Sequence, residues 1–271
     1  MARASGCGPE CHGFEPRYPL HIFGPASVGP LFLSKKRCYS DFIMKKDILT
    51  YYDLAKIKAG ENKEKLVSLS KRAPKIVCQY EKKDMLAYVG DEIYVRETVA
   101  KMLIQVSENL KTKNSDYSLK VVYGYRHPEI QQDYFDKRKQ EIKSQEPGLT
   151  DEELYAKVHL FVAAPNVAGH TVGGAVDITT ISSQVDLDMG TTIADFSDEE
   201  KIQTFYKNIS DEQRQNRALL HDLMIEVGFA PFYGEWWHFS YGDKEWAAFY
   251  KQQQSLYSLI DFNLPAGKAG K

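Results

Sequence analysis

Two segments constrain this chain most: AGHTVGGAVDIT from Ala168 to Thr179, and YGEWWHFSYGD from Tyr233 to Asp243, which concentrate metal-ligand side chains among glycines and aromatics. A catalytic zinc takes three protein ligands from histidines and carboxylates and keeps a fourth position open for water. His170, Asp177 and His238 supply that set, so two stretches far apart in the sequence have to meet at one ion. Glycines 169, 173 and 174 permit the tight path by which a loop residue and a residue on the following strand turn toward it. One Zn2+ per chain is the cofactor this pattern predicts.

Glu235 lies three residues before His238, and on a regular strand an odd offset puts two side chains on opposite faces. The spacing therefore predicts a bulge or a loop-to-strand transition at Gly234 and Glu235. That irregularity brings the carboxylate beside a metal-bound water, where a non-ligating Glu serves as general base. Arg126 ends the β-branched, aromatic run LKVVYGYR and is followed by His127 and Pro128, which force the chain out of extended structure. A guanidinium pointing into the cleft stabilises the oxyanion of a tetrahedral intermediate. Taken singly these residues carry little weight, since an isolated arginine is more often a structural ion pair. His21, His159 and His221 are read as surface or satisfied interior groups, and Trp236, Trp237, Phe239 and Tyr241 as core and cleft wall. The joint pattern moves the balance.

The pattern of elements predicts an α+β class: a single domain with a central antiparallel sheet flanked by helices. Val95, Val99, Met102, Leu103, Val106 and Leu110 recur at helical spacing, and Leu119 to Tyr125 reads as a strand. A charge-laced helix follows over 129–143. Three capping-box signatures, Thr150 with Glu153, Ser197 with Glu200 and Ser210 with Gln213, each predict a helix start, and Gly228 stops the last. Strands are expected at 75–80, 175–179 and 236–241, and short helices between Ile48 and Arg72. No βαβ period with a Gly-rich turn is present, and no repeat. The catalytic domain is assigned to residues 46–262, between tails at 1–45 and 263–271 that are rich in Gly and small or polar residues.

With 35 Lys+Arg against 37 Asp+Glu in 271 residues the formal charge is −2, which excludes a general basic nucleic-acid binder. No stretch is long and apolar enough to span a membrane. Four cysteines, at 7, 11, 38 and 78, are too few for a disulfide scaffold and point to a reducing compartment. Cys7, Cys11 and His12 lack a second pair at finger spacing and are assigned no chemistry. The first residues hold no apolar signal core, so cytoplasmic location is expected, or periplasmic if the start is mis-assigned.

HTVGGAVD followed by GEWWHFSYGD resembles the zinc D-alanyl-D-alanine dipeptidases of the VanX type, within the D,D-peptidases that have a His, Asp, His zinc site. The resemblance runs over about 76–250: YGYRHPEIQ resembles the family's Arg-bearing segment, HLFVAAP its lead-in to the first ligand, DMGTTIADFS its middle segment and RQNRALLHDLMIEVGF the helix before the Glu-Trp-Trp-His strand. It implies His170, Asp177 and His238 as zinc ligands, Glu235 as general acid and base, and Arg126 as transition-state stabiliser. It also implies a small D-amino-acid peptide as substrate. Tyr125 and Trp237, beside Arg126 and His238, are assigned to substrate binding. Two positions depart from the family: Ala168 and Ala194 stand where a Ser and an Asp usually help hold the substrate's free α-amine. Asp195, next door, is expected to take over after a one-residue shift of the loop. Three readings follow: a D-Ala-D-Ala dipeptidase, a D,D- or L,D-carboxypeptidase on peptidoglycan stem peptides, and a zinc-binding domain that has lost catalysis.

Overall fold

A computed structural model describes residues 48–264. The expected N-terminal tail at 1–45, three of the four cysteines and residues 265–271 lie outside them. In chain order the first elements are α1 (Tyr51–Ala55), β1 (Leu66–Ser68), α2 (Leu69–Arg72), β2 (Val77–Cys78), α3 (Leu86–Val89), β3 (Tyr94–Arg96), α4 (Glu97–Lys113) and β4 (Tyr117–Tyr123). Then come α5 (Pro128–Gln145), α6 (Asp151–His159), β5 (Ala175–Ser182), β6 (Val185–Asp186), α7 (Asp211–Val227), β7 (Ala230–Pro231), β8 (His238–Ser240) and α8 (Lys244–Phe249). A single 3-10 turn, His170–Val172, immediately precedes β5.

The main sheet runs β2-β4-β5-β8-β7, with β6 folded back on β5. Its β4–β5, β5–β8 and β8–β7 pairs are antiparallel and only the short edge pair β2–β4 is parallel. A separate antiparallel pair joins β1 to β3. The α+β class with a central antiparallel sheet is thus the architecture found.

Helix α4 packs its apolar stripe into the main core, where Val99, Leu103, Val106 and Leu110 are fully buried alongside Leu220 and Met224 of α7. Truncating one such leucine to alanine costs about 2–5 kcal/mol. Val95, expected on the same stripe, belongs instead to β3, where it pairs with Val67. The helix starts later because Arg96 is extended (φ −59°, ψ 148°) and its buried guanidinium donates to the carbonyls of Val172 at 2.7 Å and Ser258 at 3.2 Å. A second cluster, with Phe135, Leu154 and Val158, fills the space between α5 and α6.

Two of the three predicted capping boxes form: Thr150 with Glu153 opens α6, and Ser210 with Gln213 opens α7, which Gly228 ends in the left-handed region at φ 105°. Ser197 with Glu200 opens no helix. There Asp198 Oδ1 accepts from Glu200 N and Lys201 N, while the carbonyls of Lys201 and Gln203, which a helix would use internally, accept from buried Arg217 of α7. Tertiary hydrogen bonds override the local signal. Of the short helices expected between Ile48 and Arg72, α1 and α2 form, while Leu66–Ser68 between them is the strand β1. At the other end Leu264, assigned to the C-terminal tail, donates its backbone N–H to Tyr88 O at 2.9 Å.

Candidate metal centre and active site

Strand pairing brings the two motifs together. Asp177 on β5 stands opposite His238 on β8 and, on its other side, opposite Tyr123 at the end of β4. Residues directly opposite on an antiparallel pair share a face and lie within side-chain reach. A register shift between Val121 and Tyr123 turns the end of β4 as it approaches the site. His170 arrives from the 3-10 turn, which closes at Gly173 in the left-handed region (φ 72°), a conformation that favours glycine.

His170 Nδ1 lies 2.7 Å from the carbonyl of Gly124, which can only accept, so Nδ1 carries the hydrogen and Nε2 keeps its lone pair. That Nε2 is 3.4 Å from Asp177 Oδ1, and His238 Nδ1 is 3.1 Å from the same oxygen. The three ligand atoms all lie within 4.8 Å of one another. Zinc bonds of about 2.0–2.2 Å place tetrahedral ligand atoms roughly 3.3–3.6 Å apart, so the spacing about Asp177 fits such an ion.

The charges fit as well. Burial alone would raise the Asp177 carboxyl, but the His170 and His238 rings outweigh it and hold it well below the usual range. Burial disfavours charge on His238 too, yet Glu245 and Asp177, on either side, hold its ring protonated well above the ordinary value. His170 is lowered by burial, partly offset by Asp177. A cation held between these donors takes the place of the shared protons.

Glu235 stands in the turn before β8, with its N–H donating to Phe232 O at 3.0 Å and its carbonyl accepting from His238 N at 3.4 Å. The irregularity predicted from the odd offset is present. Burial pushes its carboxyl up to about 7, with Asp177 and Glu245 adding and His238 and Arg126 opposing. Arg126 follows β4; its Nη1 donates to Gln131 Oε1 at 2.9 Å, and Gln131 in turn donates to Ala163 O at 2.7 Å. The guanidinium lies over the rings of Tyr123 (4.5 Å) and Tyr134 (5.3 Å), while its buried Nε has no hydrogen-bond partner among the described residues.

His170, Asp177, His238, Glu235, Arg126 and Trp237 all line one cavity of about 140 Å3. Tyr125 and Asp195, two of the residues assigned to substrate binding, do not. The Tyr125 hydroxyl is spent on the segment after α8, donating to Ile260 O at 2.9 Å and accepting from Phe262 N at 3.0 Å. Asp195 accepts from Ser197 N at 3.1 Å, and the shift that would turn it inward has not occurred. The cavity wall there is made by Ile193, Ala194 and Phe196. Ala168 is buried and lines a smaller cavity of about 40 Å3.

Several residues of the site have no obvious mark in the sequence. Tyr123 and Tyr134 both donate their hydroxyls to Asp84 Oδ2, which fixes the two rings beneath Arg126. Glu245 lines the cavity on the far side of His238. The signal for Tyr134 was hidden in a helix that reads as exposed and charged; that for Glu245 lay in Asp243, the last residue of the second motif, which caps the helix that carries it.

The model of the D-Ala-D-Ala dipeptidase family (peptidase family M15) matches residues 81–258. A D-alanyl-D-alanine dipeptidase of Synechocystis sp. is 32% identical over 199 residues, covering 65% of this chain and 80% of that protein. Among solved structures, the LdcB LD-carboxypeptidase is 21% identical with a TM-score of 0.40, covering 69% of this chain and 72% of that one. The vancomycin-resistance D,D-pentapeptidase VanY, in complex with Zn(II), is 19% identical with a TM-score of 0.36, covering 62% of this chain and 84% of that one.

Proposed function

The chain belongs to the D-Ala-D-Ala dipeptidase family, and from that premise we propose that it is a zinc-dependent hydrolase cleaving D-Ala-D-Ala, with His170, Asp177 and His238 as the ligands. The observation that carries this reading is the convergence of three ligand atoms within 4.8 Å on a cavity that Glu235 and Arg126 also line. The catalytic domain is assigned to residues 46–262.

Zinc, when bound, supplies Lewis acidity, lowering the pKa of a water toward neutrality and polarising the scissile carbonyl. Glu235 takes the proton of the attacking water on its carboxylate and returns it to the leaving amine. A buried carboxyl balanced near neutrality suits both halves of that transfer. Arg126, pinned by Gln131 and the two tyrosine rings, holds a fixed positive charge at the cavity wall, where an oxyanion develops. Gly124 keeps the His170 ring in the tautomer that leaves Nε2 free to ligate.

One observation favours a second reading, a carboxypeptidase acting on stem peptides. Ala194 lines the cavity between Ile193 and Phe196, and Asp195 faces away, so this wall offers no carboxylate to a free α-amine. A paired assay separates the two. Chelator-sensitive release of D-Ala from free D-Ala-D-Ala, with little from an N-acyl derivative, supports the dipeptidase; release mainly from the acylated substrate supports the carboxypeptidase. Inactivity of the zinc-loaded protein on both would leave a zinc-holding domain without catalysis. Location follows the same division, because cytoplasmic placement suits turnover of free dipeptide and wall-side placement suits stem peptides.

A further inference from the structure

We infer that Glu245 is the positioning residue of the metal centre, gripping the His238 ring by Nε2 so that Nδ1 stays aimed at Asp177 and the ion. The inference rests on the reading of His170, Asp177 and His238 as ligands. Two carboxylates stand on opposite sides of this one ring: Asp177 Oδ1 is 3.1 Å from Nδ1, and Glu245 Oε2 is 3.3 Å from Nε2. Glu245 is only 8% exposed, and among the described residues its buried Oε2 has no hydrogen-bond partner, the His238 ring standing at ion-pair distance from it. The ring in ion-pair range of this buried carboxylate is His238, and an imidazole with one nitrogen committed to a cation turns its other N–H toward such an acceptor.

The backbone around Glu245 is built to hold it there. Asp243 Oδ1 accepts from Ser240 Oγ at 2.8 Å and from Trp246 N at 2.8 Å, so one side chain stitches the end of β8 to the first turn of α8. His238 begins β8 and Glu245 is the second residue of α8, so ligand and carboxylate are tied to each other through that cap. Tyr241 N donates to Gly174 O at 3.0 Å and Leu256 N to Gly242 O at 2.7 Å, which fixes the connecting turn from both sides. The other ligand ring has a different support: His170 leans on the neutral carbonyl of Gly124. An anionic acceptor behind an imidazole raises its basicity as well as orienting it, so His238 is the more strongly donating of the two rings.

Zinc affinity measures this directly. The wild-type protein, Glu245→Gln and Glu245→Ala are compared by competition with a chromophoric chelator, with the visible spectrum of the cobalt-loaded proteins as a second readout and thermal unfolding in excess chelator as a control. The alanine variant is expected to bind zinc about 10- to 100-fold more weakly and to shift the cobalt bands. The near-isosteric glutamine variant keeps an acceptor but loses the charge, and should fall about 10-fold while unfolding at the wild-type temperature. Unchanged zinc affinity and an unchanged cobalt spectrum in Glu245→Gln overturn the inference, even if the alanine variant fails to fold. A wild-type protein that binds no zinc overturns the metal-centre reading itself, a failure seen before any variant is made.

Discussion

His170, Asp177 and His238 stand on or directly beside the ladder formed by β4, β5 and β8, whereas Ile193, Ala194 and Phe196 stand on the irregular stretch between β6 and α7. On the ladder, backbone register decides which side chains meet: Asp177 faces His238 because Val176 pairs with Phe239 and Ala175 with Ser240. A one-residue slip would send every side chain to the other face, so the ligand geometry is as fixed as the sheet. The irregular wall is held from outside by side chains. Arg217 donates to Met189, Lys201 and Gln203 carbonyls, Trp236 Nε1 to Thr191 Oγ1 at 2.8 Å and Asn216 to Asp188 O at 2.9 Å. On the proposed function the floor of the cavity would carry the chemistry on a frame that tolerates little change, and the wall, which would meet the rest of the substrate, can change residue by residue.

The sharpest test of the floor is Glu235→Gln. General acid–base catalysis contributes about 10²- to 10⁴-fold, and kcat on D-Ala-D-Ala should fall by that much while bound zinc stays at one per chain. Full activity with zinc retained would remove Glu235 from the mechanism. Arg126→Ala comes next. Loss of one oxyanion-stabilising donor costs about 10²- to 10³-fold in kcat, and KM should move far less. An effect confined to KM would show that Arg126 belongs with the wall, as a substrate anchor, and would redraw the division between the two regions.

The contrast also explains what the sequence discloses. His170, Asp177, Glu235 and His238 are legible because the chemistry demands particular residue types, and because an odd offset before a ligand has only one geometric remedy, a break in the strand. The helices α6 and α7 are legible because their starts are local, a side chain and a backbone N–H three residues apart. Val95 and Ser197 mislead for the opposite reason. In both places an arginine's long-range hydrogen bonds, from Arg96 to Val172 and Ser258 and from Arg217 to Lys201 and Gln203, claim the chain in a way that no window of neighbouring residues contains. Tyr125 misleads differently: proximity to Arg126 in sequence places it one residue from the cavity, but the backbone turns its hydroxyl onto Ile260 and Phe262. The tyrosine pair beneath Arg126 depends on Asp84, brought in from a separate segment.

Arg217→Met tests whether floor and wall are independent. The substitution leaves three carbonyls without their donor around a side chain that is 2% exposed, and should destabilise the fold by at least about 2 kcal/mol in urea unfolding. Where the variant is folded, KM should rise more than kcat falls and zinc affinity should remain at the wild-type value. A matching loss of zinc affinity would mean that the irregular stretch supports the ladder, and the two regions would have to be treated as one.

The smallest expected effect is the most informative about specificity. Ala194 lies in the left-handed region at φ 58°, where Asp and Asn are tolerated better than other side chains, so Ala194→Asp should relieve backbone strain as it adds a carboxylate to the wall. If the wall selects substrates by what it offers a free α-amine, the variant should gain about 10-fold in kcat/KM for D-Ala-D-Ala relative to its N-acyl derivative, about 1.4 kcal/mol of differential binding in the transition state. Its kcat on either substrate should stay close to wild type, because Glu235 and the ligand ladder are untouched. A shift of that size at constant kcat would assign substrate choice to the irregular wall. An unchanged ratio would mean that the amine is met elsewhere on the cavity, where Glu81 is the remaining carboxylate at the rim, paired with Lys120 at 3.6 Å.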